Sequence, residues 1–289
     1  MSKLQIIKRA FNYIVKGIPI KQVMPQIVTL SPNQLLESRI AFITGGTSGI
    51  GFQIAKAYLN SGASVCITGR NLSRVNETCE KFKLYSPEFN NRVYGIELDN
   101  KDISSFKLKI SEVLDHYGRI DILVNNAGIV GGDISTCSEE TYDNILDTNL
   151  KGMFFLSKEI GRYMKDNEIN GNILNIASSS SLRPAASAYT LTKWGTRGLT
   201  LGLAKTLAPY GITVNGIAPG PTATPMLGKK KGEDIAYTRN PLGRFTLPEE
   251  IANMAVFLVS DMGRSIVGDI IYMTGGSGLV TFDDVDYNF

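Results

Sequence analysis

Histidine and cysteine are scarce in this sequence. One histidine and three cysteines (Cys66, Cys79 and Cys137) stand among 289 residues, none in CxxC spacing. That leaves no ligand set for an ordinary zinc site, and no metal is expected. Charge of one sign is also lacking: a net charge of +3 gives no basic footprint for nucleic acid and no call for strongly acidic partners. No run approaches the ~18–20 apolar residues needed to span a bilayer. The N-terminus lacks the apolar core and small-residue cleavage site of a secretory signal. Neither a membrane-spanning nor an exported protein is expected, and a reduced cytoplasmic compartment fits the unpaired cysteines. Cys66, inside an apolar run, reads as core.

What is present suits one large soluble domain: 43% hydrophobic and 20% charged residues. Short apolar, β-branched runs recur at Arg39–Thr44, Ser64–Thr68, Arg92–Leu98, Ile120–Val124, Asn172–Ala177, Ile212–Ile217 and Asp269–Met273. Runs apolar on both faces suit parallel strands covered by helices. Helical spacing appears between them, as in Phe52–Leu59 and Leu199–Leu207. The alternation predicts an α/β fold, a single doubly wound Rossmann-type domain over residues 39–278 with a mostly seven-stranded parallel sheet. Residues 1–38 form an extension in which Leu4, Ile7, Phe11, Ile14 and Ile18 follow amphipathic helical spacing, ended by Gly17 and Pro19. Its lysines and arginine, with no acid before Glu37, would allow weak contact with a membrane surface through residues 3–18. Packing on the domain or on a neighbouring subunit is the plainer reading. Residues 279–289 form a C-terminal tail.

The first strand runs into Gly45-Gly46-Thr47-Ser48-Gly49-Ile50-Gly51, followed by a helix. Glycines let backbone turn tightly and approach a pyrophosphate seated on the helix N-terminus. The spacing is G-x-x-x-G-x-G, not the commoner G-x-G-x-x-G. Farther on, Tyr189 and Lys193 stand four apart, which puts both on one face of a helix opening near Ser187. A phenol is poorly matched to proton transfer at neutral pH. At ~4 Å and an effective dielectric of ~20, a lysine cation would favour its phenolate by about 4 kcal/mol before desolvation.

Thr44–Gly51 resembles the T-G-x-x-x-G-x-G of the short-chain dehydrogenases/reductases. The resemblance continues in order through Asp99, Asn125-Asn126-Ala127-Gly128, Asn149, Ser178, Tyr189-x-x-x-Lys193, Pro219-Gly220 and Thr224. It ends with Pro241-Leu242-Gly243-Arg244, Pro248–Ala252 and Gly275-Gly276, and so covers about Arg39 to Gly278. It implies a nicotinamide cofactor held by Gly45, Thr47, Ser48, Gly49, Ile50 and Gly51, with Asp99 at the adenine amino group. Asn126, Ala127 and Gly128 would pass beneath the adenine ribose. Thr224 would bind the carboxamide, Pro219-Gly220 would shape the turn below the ring, and Tyr189 and Lys193 would also contact the cofactor.

It further implies a catalytic set of Asn149, Ser178, Tyr189 and Lys193. Ser178 stands first in a run of four serines; the match of Asn175–Ser178 to N-I-x-S selects it, with Ser179 the alternative. The Ser178–Tyr189 interval is shorter than in many members, a departure that touches the loop shape and the substrate pocket. Asn149 would hold a helix kink and a water that passes protons to the lysine, or serve chiefly as structure.

Cofactor choice turns on Thr68-Gly69-Arg70-Asn71. Gly69 stands where NAD-dependent relatives carry an acid, and Arg70 offers a planar cation suited to a 2′-phosphate, so NADP(H) is favoured over NAD(H). His116, at a helix end, complements the helix dipole rather than the chemistry.

The expected reaction is carbonyl reduction, or secondary-alcohol oxidation, on a small molecule. Ile129, Val130, Leu182, Arg183, Ala186, Met226 and Leu227 are candidates for the substrate wall. Lys229-Lys230-Lys231 reads as a solvated loop or as an attractor of an anionic carrier. The alternatives are a 3-oxoacyl-carrier-protein reductase and a non-catalytic nucleotide-binding or membrane-surface scaffold. The resemblance implies a homodimer or homotetramer.

Overall fold

A computed structural model describes Met24 and residues 33–229 and 232–281. The amphipathic helix expected within residues 3–18, the tail from Phe282, and Lys230 and Lys231 lie outside the described residues. Seven strands pair in parallel: β1 (Ile40–Ile43), β2 (Ser64–Gly69), β3 (Val93–Glu97), β4 (Ile122–Asn125), β5 (Asn172–Ile176), β6 (Thr213–Pro219) and β7 (Ile270–Met273). Their order across the sheet is β3-β2-β1-β4-β5-β6-β7. The chain builds outward from β1 to β3, returns, and builds outward again from β4. The reversal lies between β1 and β4, where an open α/β sheet forms its ligand crevice.

Among the described residues seven α-helices cover the sheet: α1 (Gly49–Asn60), α2 (Leu72–Tyr85), α3 (Phe106–Tyr117), α4 (Glu139–Leu146), α5 (Gly152–Asp166), α6 (Ala188–Leu207) and α7 (Pro248–Val259). Because side chains alternate along a strand, each strand feeds both faces. Ala41, Ile43, Val65 and Ile67 pack with Tyr58, Phe82 and Val256 of α1, α2 and α7. Phe42, Cys66 and Leu123 face the other way, against Phe106, Leu156 and Leu207 of α3, α5 and α6. Cys66 is core, as its apolar run implied, and burial pushes its thiol well above the ordinary value.

The strands fall within two residues of the expected runs, and β6 extends to Pro219. Ser187 caps α6 by accepting from the Thr190 N–H at 3.1 Å. Leu199–Leu207 is only the last half of that helix. His116 lies in the last turn of α3 and stacks on Tyr94 at 4.0 Å between centroids. No helix among the described residues is long and apolar enough to cross a membrane.

Polar side chains interrupt the apolar layer at one level. Asn125 Nδ2 on β4 donates to Asn175 Oδ1 on β5 and to Ser157 Oγ on α5, both at 2.8 Å. Asn175 Nδ2 donates to Thr200 Oγ1 on α6 at 2.9 Å. This ladder ties two strands to the two helices that carry the loops above them, so the buried Nδ2 groups of both asparagines are paired.

Gly152 begins α5 against the loop after β3, where a Cβ would stand 2.2 Å from the Asn100 carbonyl oxygen. Gly152→Ala is expected to cost about 1–3 kcal/mol by overpacking, seen as a Tm lower by several degrees in a thermal melt. An unchanged Tm would mean that the Asn100 loop yields freely.

Candidate active site

The polypeptide leaves β1 through a turn that glycine alone suits. Gly45 has φ +66° and Gly49 φ +56°, and a Cβ on Gly45 would stand 2.9 Å from Ala127 Cα. Thr44 Oγ1 accepts from the Asn126 and Ala127 N–H groups at 3.0 and 3.1 Å. Asn126 Nδ2 donates back to the carbonyls of Thr44 and Gly45, both at 2.9 Å. The ends of β1 and β4 are thereby stapled. α1 then starts at Gly49 with no acidic residue in its first turn, and its N-cap Ser48 makes no side-chain cap. Such a helix start presents N–H groups and a positive dipole end to an anion.

Above these ends lies a cleft of about 760 Å³, ample for an extended small ligand. Gly45, Thr47, Ser48, Gly49 and Ile50 line it at the loop, and Arg70 and Asp99 line one end. Asn126, Ala127 and Gly128 form its floor, and Ser178, Tyr189 and Lys193 its far wall. Pro219, Gly220 and Thr224 close it from β6. Thr224 Cγ2 lies 3.5 Å from where a Cβ of Gly49 would stand, so the two halves of the sheet meet across the loop.

At the far wall, Ser178 accepts from the Ser180 N–H at 3.1 Å and hydrogen bonds to Tyr189. Ser181, buried, donates instead to the Ser178 carbonyl at 2.8 Å. Lys193 Nζ lies 5.5 Å from the Tyr189 ring centroid and donates to the Ile176 carbonyl at 2.8 Å.

Asn149 sits behind the wall in a π-helical turn, Asp147–Lys151. Its Oδ1 accepts from the Ile129 N–H, and its Nδ2 donates to the Ile129 carbonyl, both at 2.8 Å. The same Nδ2 reaches Thr192 Oγ1 on α6 at 3.2 Å.

This geometry agrees with what comparison with known proteins finds. Residues 45–278 match a family model described as enoyl-(acyl carrier protein) reductase, of the short-chain dehydrogenase/reductase type. The chain belongs to the short-chain dehydrogenase/reductase family. It is 35% identical over 248 residues to a subunit of (2S)-[(R)-hydroxy(phenyl)methyl]succinyl-CoA dehydrogenase of Thauera aromatica, covering 84% of this chain and 98% of that one. It is also 35% identical over 249 residues to a 3-oxoacyl-[acyl-carrier-protein] reductase of Thermotoga maritima, covering 83% and 98%.

Among solved structures it resembles a 3-ketoacyl-(acyl-carrier-protein) reductase of Brucella melitensis complexed with NADH. That pair has a TM-score of 0.75 and 28% identity, covering 84% of this chain and all of that one. A short-chain dehydrogenase of Burkholderia cenocepacia in complex with NADP gives 0.74 and 30%, covering 84% and 98%. The protein is therefore an oxidoreductase of alcohol and carbonyl groups, in a family that binds nicotinamide cofactors and acts on small molecules.

As a short-chain dehydrogenase/reductase, the chain departs from its sequence reading in three ways. Gly51 does not line the cleft, while Asn149, expected to hold a helix kink, lies in the π-helical turn behind it. A Cβ on Gly51 would stand 2.4 Å from Asn126 Nδ2, so that glycine lets α1 pack under the loop. Leu182 and Ala186 are likewise off the lining, whereas Ile129, Val130, Arg183, Met226 and Leu227 are on it.

Electrostatics differ too. The sequence reading has Lys193 drawing the Tyr189 phenol down, but burial pushes it above its ordinary value, and only the Ser178 hydrogen bond pulls it back. Burial also lowers Lys193 from 10.5 to about 8.

Third, Arg74, Tyr237 and Phe245 line the cleft, although none belongs to a motif. Arg74 was open to inference: it lies in the first turn of the helix after β2, which starts at the ligand edge of the sheet. Tyr237 and Phe245, whose rings stack at 4.6 Å, flank Pro241-Leu242-Gly243-Arg244 in the connection between β6 and α7.

The depressed Lys193 gives a sign for pH dependence. Between about pH 8 and pH 10.5 the unfolded chain holds a proton on this lysine that the folded chain has released, so stability from this group rises with pH across that window. Denaturant melts of wild type and Lys193→Met are expected to show the difference moving in favour of wild type from pH 8 to pH 10.5. A flat difference would contradict the burial argument.

Proposed function

We propose that the protein is an NADP(H)-dependent carbonyl reductase, running in reverse as a secondary-alcohol dehydrogenase, with Tyr189 as general acid and base. One observation carries the reading: Ser178, Tyr189 and Lys193 share a cleft wall facing a glycine loop at a helix start, with Asn149 bracing that wall from behind. The uncapped, acid-free first turn of α1 suits a pyrophosphate.

When bound, the nicotinamide supplies or accepts the hydride. Ser178 Oγ and Tyr189 Oη would hold the substrate oxygen, and Tyr189 would give it a proton. The raised phenol keeps that proton available at neutral pH. Lys193, near neutrality in its own titration, is suited to pass a proton back. Asn149 has its side chain committed to Ile129 and Thr192, so it would act by holding the π-helical turn. A relay water there would use backbone, not the amide.

The preference for NADP(H) rests on Gly69 in place of an acid and on two exposed arginines, Arg70 and Arg74, at that end of the cleft. Neither has an ion-pair partner among the described residues. Phe154, Leu191 and Leu201 are exposed on α5 and α6, an apolar surface that favours a homodimer or homotetramer in the cytoplasm. Reduction of 3-oxoacyl groups on a carrier protein is the narrower alternative. The likeness to the Thermotoga maritima enzyme favours it, while the long N-terminal extension counts against it.

Tyr189→Phe is expected to lower turnover about 10²–10⁴-fold while NADPH still binds by fluorescence titration. Unchanged turnover, or failure of the wild type to bind either cofactor, would defeat the enzymatic reading. Arg70→Ala is expected to weaken NADPH binding about tenfold and leave NADH binding unaltered. Equal affinity of wild type for both cofactors would defeat the NADP(H) assignment alone.

A further inference from the structure

Ser178 follows β5, and the loops after its two neighbours in the sheet, β4 and β6, stand on either side of it. Both loops present apolar side chains to solvent. Val130 and Ile134 are 49% and 62% exposed on the first, and Met226 and Leu227 are 56% and 47% exposed on the second. Val130, Met226 and Leu227 line the cleft, and Tyr237 and Phe245 add a stacked pair of rings to the same lining. Exposed apolar side chains gathered at the mouth of a cleft mark a surface that a ligand covers.

The first of these lips is fixed relative to Tyr189. The N–H groups of Ala188 and Tyr189, which as the first donors of α6 have no partner within the helix, donate to the carbonyls of Gly132 and Gly131 at 2.8 and 3.3 Å. The Ile134 N–H donates to the Ala186 carbonyl at 3.0 Å. Gly131 and Gly132 have φ +122° and +74°, a turn suited to glycine, and a Cβ on Gly132 would stand 2.8 Å from Ala188 Cβ. Val130 and Ile134 are therefore exposed on backbone that is tied to the start of the Tyr189 helix.

Among the described lining residues, charge lies elsewhere or is engaged. Asp99 is the one carboxylate, at the adenosine end with Arg70 and Arg74. Lys193 is committed to the Ile176 carbonyl, and the buried Arg183 already has an interaction partner. Of the hydroxyls, Ser180 is bonded to Ser178, and Thr222 donates to the Gly220 carbonyl. The substrate end thus offers apolar contact around one polar point, Ser178 with Tyr189.

We propose that the substrate is an uncharged ketone, or its alcohol, carrying an apolar arm that runs out between the two lips, with Ile134 a specificity residue at the outer edge. This rests on the reductase reading for the placement of the carbonyl at Ser178 and Tyr189, but not for the apolar arm.

The test uses the full chain saturated with the nicotinamide cofactor it binds, oxidised for calorimetric binding of ketones and reduced for turnover. The probes are 2-butanone, 2-hexanone and 2-octanone, with dihydroxyacetone as a polar counterpart of 2-butanone. Each methylene removed from water is expected to tighten binding about threefold, so that 2-octanone binds at least about thirtyfold better than 2-butanone. Ile134→Ser is expected to reduce the gain from 2-hexanone to 2-octanone while 2-butanone and the cofactor bind as in wild type, and Met226→Ser to reduce the gain from the other lip. Equal binding across the series, or tighter binding of dihydroxyacetone than of 2-butanone, overturns the proposal. So does a gain undiminished in Ile134→Ser or in Met226→Ser. A smaller assembly of Ile134→Ser by sedimentation, with the ketone series unmoved, would assign this lip to a subunit interface and overturn it as well. Binding that depends on chain length without oxidation of the cofactor would uphold the apolar arm and defeat the reductase reading.

Discussion

A parallel sheet buried on both faces can keep polar chemistry only at the ends of its strands. Here both faces are sealed by helices, with Ala41 and Ile43 turned to one core and Phe42 to the other. Groups that meet charged ligands must therefore gather at the carboxyl edge, and the reversal between β1 and β4 opens that edge. The staple of Thr44, Asn126 and Ala127 lies at this opening. It sets the turn at Gly45, the start of α1 and the floor of the cleft together.

The second consequence of burial is electrostatic. Lys193 is placed where its charge is disfavoured, with the Ile176 carbonyl as acceptor. Tyr189 is placed where its phenolate is disfavoured, with Ser178 as partner. The same desolvation moves the phenol up from 10.0 and the ammonium down from 10.5 to about 8, so proton affinities that nearly coincide in water are drawn apart. The Lys193 ammonium therefore holds its proton less tightly than the Tyr189 phenol, which gives proton return a direction, from lysine to tyrosinate.

Much of this was legible in the sequence. The seven apolar runs became the seven strands because a run apolar on both faces has few other places to go. The glycine loop, Arg70, Ser178, Tyr189 and Lys193 occupy one cleft because each lies at or just past a strand's carboxyl end, or on the helix that follows. What stayed hidden depended on side-chain direction and long-range packing. Gly51 belongs to the glycine motif but packs inward, against Asn126. The π-helical turn at Asp147–Lys151 has no periodicity that separates it from ordinary helix. Tyr237 and Phe245 enter the cleft from an irregular connection. The balance of burial against charge at Tyr189 required knowing how deep it lies.

The amide ladder through Asn125 and Asn175 bears on how the molecule assembles. Sliding β4 past β5 by one residue would reverse every side chain's face. It would part Asn125 from Ser157 and Asn175 from Thr200, leaving amides stranded in hydrocarbon. Aliphatic strands alone would tolerate such a slip with modest loss, since one Ile or Val packs much like another. The ladder thus acts as a registration mark, penalising misaligned intermediates during folding and indexing β4 to β5 before any ligand arrives.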